Sequence, residues 1–250
     1  RGCPFKCRFC ASDIIYKGVW RARSPENVVE EISILRHRYK KREIEFMDDT
    51  FALDRKRAKR ICELIKEENL DISWSCSTRV DRFDKELATM LRETGCYAVS
   101  FGIESGVQKT LDFLNKGITV SEIERAVKTA KKHGFIVNTS LILGIPGENR
   151  EKVNETIRFI NRLRPTTASF SLLTPYPGTW VYKFAEEKKL FITKDWSKYR
   201  LSEPVMRIPG FTLEELKKIL RKAYTSFYLS PAYLTNVFAS KPLNDLLAAF

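Results

Sequence analysis

From Ser24 onward the spacing of apolar residues switches back and forth between two periods. Val28, Ile32 and Leu35 recur at the interval of a helix face, behind the start signal Ser24-Pro25. Ile44-Glu45-Phe46-Met47 then reads as a short strand ending in Asp48-Asp49. A second helix carries Ile61, Leu64 and Ile65, and the strand after it, Ile72 to Ser77, closes at Thr78-Arg79-Val80-Asp81. The third helix (Leu87, Met90, Leu91) stops at Gly95, and Tyr97 to Phe101 runs into Gly102-Ile103-Glu104-Ser105. Ser121 with Glu124 three residues on reads as a capping box for a helix through Ile123, Val127 and Ala130 that ends at Gly134. Phe135 to Leu143 brackets another strand, which ends in Gly144-Ile145-Pro146-Gly147-Glu148. A helix through Val153, Ile157 and Ile160 leads to a last strand, Ser169 to Leu173, and a rigid turn from Thr174 to Thr179.

Helix and strand patterns that alternate in this way give a parallel sheet with crossover helices. With a first strand counted just before Cys3 there are six β/α units, short of the eight of a complete barrel. The expected fold is α/β, a partial (β/α)6 TIM-like barrel over residues 1–190, with residues 191–250 as an irregular segment and helical extension. In that extension Thr212 and Glu215 form a capping box ahead of Leu216, Ile219, Leu220 and Phe227, and Pro231 starts a further helix. Trp196, Tyr199, Phe227, Tyr228 and Tyr233 either pack as a cap or wall an apolar pocket. Because the first residue is Arg1 rather than Met, the chain is expected to begin inside a structural element.

Bulk properties narrow the function classes. No apolar run approaches the roughly 20 residues of a membrane helix, and no signal-peptide layout is present, so a cytoplasmic protein is expected. The net charge of +13 invites a nucleic-acid reading. Yet the Lys and Arg residues lie along helical faces with Asp and Glu interleaved, the pattern of a solvated surface, so nucleic acid is not expected as a partner.

Six cysteines stand at 3, 7, 10, 62, 76 and 96. The last three fall singly in apolar runs and read as small buried hydrophobes. The first three form Cys-x3-Cys-x2-Cys, in which three thiolates can converge on one inorganic centre while no adjacent fourth ligand closes it. Soft thiolates suit iron–sulfur or zinc, but structural zinc takes four ligands, and His37 and His133 lie inside predicted helices.

The segment Arg1-Gly2-Cys3-Pro4-Phe5-Lys6-Cys7-Arg8-Phe9-Cys10, with Phe9 before the third cysteine, resembles the signature of the radical S-adenosylmethionine superfamily. The resemblance implies that Cys3, Cys7 and Cys10 hold a [4Fe–4S] cluster whose open iron chelates S-adenosylmethionine, which is cleaved to a 5′-deoxyadenosyl radical. It also implies that cofactor-binding residues gather at the C-terminal ends of the strands. Asp48 and Asp49 occupy the place of the family's glycine-glycine-glutamate motif, without its glycines. They look like acceptors for the cofactor's amino group, though either could instead cap the next helix. Glu104 and Ser105 look like the fourth-strand position that meets the ribose or methionine moiety. Gly144, Gly147 and Glu148 resemble the glycine motif beside adenine, and Leu172 and Thr174 sit where the sixth strand closes over it. Arg79 could pair with the cofactor carboxylate or with Asp81.

Several phrases, among them Phe46-Met47-Asp48-Asp49, Phe101-Gly102-Ile103-Glu104-Ser105 and Pro175-Tyr176-Pro177-Gly178-Thr179, resemble the cobalamin-dependent group that includes the anaerobic magnesium-protoporphyrin ester cyclase. That likeness implies methylation or oxidative cyclisation with cobalamin on a domain ahead of the barrel. It further implies a small-molecule or lipid-like substrate and a reduced electron donor such as ferredoxin or flavodoxin. A transfer-RNA methylthiotransferase is the alternative enzyme, without the further cluster cysteines expected of one. A zinc- or cluster-stabilised binding module is the non-enzymatic alternative.

Overall fold

A computed structural model describes residues 1–240. After the cysteine loop comes a short helix α1 (Ser12–Tyr16), then α2 (Pro25–His37), β1 (Glu43–Phe46), α3 (Arg55–Glu67), β2 (Ser73–Ser77), α4 (Lys85–Glu93) and β3 (Cys96–Glu104). The chain continues through α5 (Gln108–Phe113), α6 (Val120–Lys132), β4 (Ile136–Leu143), α7 (Arg150–Leu163), β5 (Thr167–Leu172), α8 (Trp180–Glu187), α9 (Leu213–Tyr228) and α10 (Pro231–Ser240). The five strands form one parallel sheet in the order β1-β2-β3-β4-β5, an open partial barrel.

The sixth strand expected just before Cys3 is not among the described residues, which begin directly with an irregular loop over residues 1–10. Gly2 has φ +89°, and a Cβ there would lie 2.3 Å from the Val19 carbonyl, so the loop folds back on its own downstream chain instead of extending. The bounds of the expected strands and long helices otherwise agree to within a few residues. One cap is out of frame. The capping box of α6 is Thr119 with Glu122, not Ser121 with Glu124. Gln108 causes the shift: its side chain accepts from Val120 N–H at 3.0 Å and donates to the Ile118 carbonyl at 3.1 Å, which fixes the helix start two residues early.

The two faces of the sheet differ in chemistry. Toward the helices point Trp74, Cys76, Val99, Phe101, Val137, Leu141, Ala168 and Phe170, all buried, and they make the core with the apolar stripes of α3, α4, α6 and α7. Trp74 is fully enclosed, donates its indole N–H to the Thr94 carbonyl at 2.6 Å and packs against Phe46 and Phe51. The inner face carries short polar side chains in register. Ser77 lies beside Ser100, Ser100 beside Asn138 and Asn138 beside Thr167, while the next row is Gly102, Ser140 and Ser169. Barrel interiors are ordinarily filled by branched apolar residues, so short polar ones leave this face hollow.

The outer edge of β5 is closed from the C-terminal segment. Tyr228 Oη accepts from Ala168 N–H at 3.1 Å and donates to the Ala168 carbonyl at 3.0 Å, and Tyr224 does the same at Phe170 with 3.1 and 2.9 Å. Leu172 N–H adds a bond to the Leu201 carbonyl at 2.8 Å. Phe227, Tyr228 and Tyr233 are thus part of a packed cap, whereas Trp196 stacks on Tyr199 at the surface. The surface charges interleave as ion pairs, such as Arg55 with Asp84 and Glu86, Arg60 with Glu67, and Lys66 with Glu93.

Candidate active site

At the C-terminal ends of the strands lies a cavity of about 370 Å³, lined by Cys3, Cys7, Cys10, Phe9, Ser12, Asp49, Thr78, Arg79, Glu104, Lys116 and the inner-face residues Ser77, Ser100, Gly102, Asn138, Ser140 and Ser169. The volume lies within the range of small-molecule sites. The three cysteines are free thiols, each half-buried at the mouth. Cys7 and Cys10 share a tight turn in which Cys10 N–H bonds the Cys7 carbonyl at 3.1 Å. Burial pushes the Cys7 thiol up, opposed by the nearby cations Lys116 and Arg79. Burial also raises Cys10, opposed by the Ser12 N–H that points at its sulfur from 3.4 Å.

Such a donor set fits an iron–sulfur cluster: three soft sulfurs on one loop, with cations and an N–H beside them to stabilise thiolates. Among the described residues no three His, Cys, Asp or Glu side chains converge tightly enough for a single metal ion. Cys62, Cys76 and Cys96 lie elsewhere, buried in the core, where desolvation raises Cys62 to about 11.

The two aspartates after β1 part company. Asp49 faces the cysteines and accepts from Ser12 Oγ at 3.2 Å. Asp48 turns into a separate hollow beside β1 and lies 4.0 Å from Arg57. A register shift after Gly102 forms a bulge in β3 and puts Glu104 at φ +58°, a backbone state rare outside glycine. Glu104 is thereby presented at the mouth, where its carboxylate accepts from Lys116 Nζ at 2.8 Å with both side chains nearly buried. Gly102 makes room for this pair, because a Cβ there would lie 2.6 Å from Glu104 Oε1 and 3.0 Å from Lys116 Nζ.

Arg79 lines the cavity too, but its guanidinium is engaged. Nε donates to Asp81 at 2.8 Å, Nη2 to the carbonyls of Lys116 and Gly117 at 2.9 and 3.2 Å, and its charge sits 3.7 Å above the Phe5 ring. The remaining sequence candidates lie outside the cavity lining. Ser105 is buried against Thr156 Oγ1 at 3.0 Å. Glu148 folds back to accept from Ile145 N–H at 2.9 Å, its other oxygen is buried without a partner, and desolvation pushes its carboxyl up to about 7. Gly144 packs beneath Leu216 and Leu172, Gly147 has open space around it, and Thr174 bonds the Leu172 carbonyl at 3.2 Å. Sequence reading passed over Lys116, Ser12 and Asn138. Lys116 stands in the ordinary-looking run Leu114-Asn115-Lys116-Gly117, and only its distance to Glu104 and Cys7 singles it out.

Residues 1–160 match the family model of the radical SAM superfamily. The chain belongs to that superfamily. It is 48% identical over 94% of its length to a protein of Pyrococcus horikoshii named an uncharacterized methyltransferase, covering 51% of it. It is 30% identical over 93% of its length to the anaerobic magnesium-protoporphyrin IX monomethyl ester cyclase of Cereibacter sphaeroides, covering 38% of that protein. This radical SAM chain thus spans about half the length of such relatives, or less. In fold it is similar to the radical S-adenosylmethionine methyltransferase TsrM of Kitasatospora setae, solved with cobalamin and a [4Fe–4S] cluster, with a TM-score of 0.67 and 21% identity over 86% of this chain and 44% of that one. No helix among the described residues is long and apolar enough to cross a membrane.

Proposed function

We propose that the chain is the catalytic core of an enzyme that methylates or oxidatively cyclises a small-molecule or lipid-like substrate. In this reading Cys3, Cys7 and Cys10 hold a [4Fe–4S] cluster, and the adjoining cavity takes S-adenosylmethionine. The observation that carries it is the opening of all three thiols into the same cavity as Asp49, Glu104 and Lys116.

A bound cluster would supply the electron for reductive cleavage of S-adenosylmethionine. The chain's own residues bind and orient. Asp49 and Glu104 offer carboxylate oxygens to the cofactor's ammonium group, and Lys116, which gives one of its three N–H bonds to Glu104, offers the others to its carboxylate. Phe9 covers one side of the mouth, and Lys116 lies 5.8 Å from its ring. In this reading adenine would extend from the cavity toward Gly144, Gly147 and Glu148 after β4 and Leu172 and Thr174 at the end of β5, residues that lie outside the cavity lining itself. Ser105, buried against Thr156 Oγ1, would contribute by packing and not by touching the cofactor. The closed guanidinium of Arg79 favours Lys116 over Arg79 as the carboxylate partner. Cobalamin is assigned to a part of the protein outside these residues, and an external reduced carrier such as ferredoxin or flavodoxin to electron supply.

The test is anaerobic loading with iron and sulfide, dithionite reduction and chromatography for 5′-deoxyadenosine after S-adenosylmethionine is added. The expected result is 5′-deoxyadenosine from the native chain and none from Cys7→Ala, with Cys62→Ala still loading a cluster. A colourless, zinc-filled protein would sink the reading.

A further inference from the structure

Three of the residues between the cysteines, Phe5, Lys6 and Arg8, are each gripped from distant parts of the chain. Phe5 lies under the Arg79 guanidinium at 3.7 Å, and Arg79 is itself held by Asp81 and by the carbonyls of Lys116 and Gly117. The Lys6 carbonyl accepts from Asn115 Nδ2 at 2.7 Å, across 109 positions of sequence. Arg8 is fixed on both sides of its backbone: its N–H donates to the Leu114 carbonyl at 2.9 Å, and its carbonyl accepts from Val181 N–H at 3.1 Å. Its guanidinium stands 4.3 Å from the Trp180 ring centre and 5.3 Å from Phe113, while Trp180 stacks on Phe184. At the base of the loop, Arg1 and Arg21 exchange backbone bonds of 2.7 and 2.9 Å. None of these contacts uses a cysteine sulfur.

We propose that the turn Leu114–Gly117 and the aromatic group Trp180, Phe113 and Phe184 form a clamp that holds the cysteine loop in place, with its three thiols on one cavity, before any metal arrives, with Arg8, Asn115 and Trp180 as positioning residues. Its purpose as a cluster-loading device rests on the assignment of Cys3, Cys7 and Cys10 as ligands. Its mechanical effect on the loop does not. A loop free to open disperses its three thiols, and ordering it on binding would cost affinity; a loop held in advance avoids that cost. Asn115 is suited to its task by its backbone, since at φ +52° it lies in the left-handed state that asparagine tolerates better than most residues.

The chain carries its own probe in Lys6 and Arg8, two trypsin sites inside the loop. Cleavage there follows the population of the opened loop when opening and closing are fast. Metal-free protein is treated briefly with trypsin and the cuts after Lys6 and Arg8 are timed by mass spectrometry. The native chain, Trp180→Ala, Trp180→Phe and Asn115→Gly are compared, the last keeping the left-handed backbone while deleting the amide. Loss of the cation–π contact in Trp180→Ala should speed cleavage at these two sites by about tenfold, and Asn115→Gly severalfold, with Trp180→Phe near native and cuts elsewhere unchanged. In a second arm, the same variants loaded with iron and sulfide should lose the cluster's absorbance to a chelator faster in the same order.

If the native metal-free loop is cut as fast as Trp180→Ala, or if Trp180→Ala accelerates cleavage equally at every site, the clamp is overturned. Should the native loop resist trypsin while the protein takes up no cluster, the clamp stands and the ligand assignment falls. The proteolytic arm therefore separates failure of the one from failure of the other.

Discussion

Two acidic residues illustrate how burial decides what a carboxylate does in this protein. Glu104 forms an ion pair with Lys116, with Gly102 supplying the space for the pair. Removing one partner of a buried pair strands the other, so Lys116→Met should destabilise by about 3–5 kcal/mol in urea denaturation. Adding Glu104→Gln should recover much of that loss, and a fully additive double mutant would mean that the pair is not coupled. Glu148 forms no ion pair among the described residues, and burial, opposed only in part by its backbone hydrogen bonds and by nearby Lys152, pushes its carboxyl up to about 7. A carboxyl that holds its proton longer when folded contributes stability below the ordinary carboxylate range, and this stability is lost as pH rises to about 7. The loss is of order 3 kcal/mol. Glu148→Gln should therefore melt higher than the native chain at pH 8 and show a flatter dependence between pH 5 and 8, measured by calorimetry. The cysteines and Asp49 were legible because their spacing or strand-end position carries the signal. Lys116, Arg8 and Asn115 were not, because what marks them is a partner far away in sequence, as with Asn115 and Lys6.

At the scale of elements, long amphipathic helices and their caps read well from the chain, since periodicity and a Ser or Thr before the first turn are local facts. Ser24 and Thr212 cap α2 and α9 as expected. The short helices α1, α5 and α8 escaped notice because one or two turns offer too few apolar repeats to set a period. The Thr119 cap was misplaced because its position is set by Gln108, in the preceding helix. This gives a direct comparison: Thr119→Ala should lower stability by about 1 kcal/mol in chemical denaturation, while Ser121→Ala, inside the first turn, should change it far less. Equal effects would return the cap to Ser121. The bulge after Gly102 was also invisible in sequence, yet it is the feature that turns Glu104 toward the cysteines.

At the scale of the whole molecule the sheet divides its work between its faces. The helix side carries most of the packing, and the inner side carries short polar groups and the cavity, so the candidate site lies on the face opposite most of the core. Alternation of helix and strand made the parallel sheet legible from sequence, but the strand count and the closure of its far edge depended on contacts that only the folded chain reveals. That closure has a consequence for where the unit can be cut. The backbone groups of Ala168, Phe170 and Leu172 are answered by Tyr228, Tyr224 and Leu201, all beyond residue 190. A fragment ending at 190 would bare those groups as a template for other chains to add strands and aggregate. The two tyrosines of α9 thus occupy an edge that would otherwise invite strand addition, and a shortened version of the protein that lacks them is expected to aggregate.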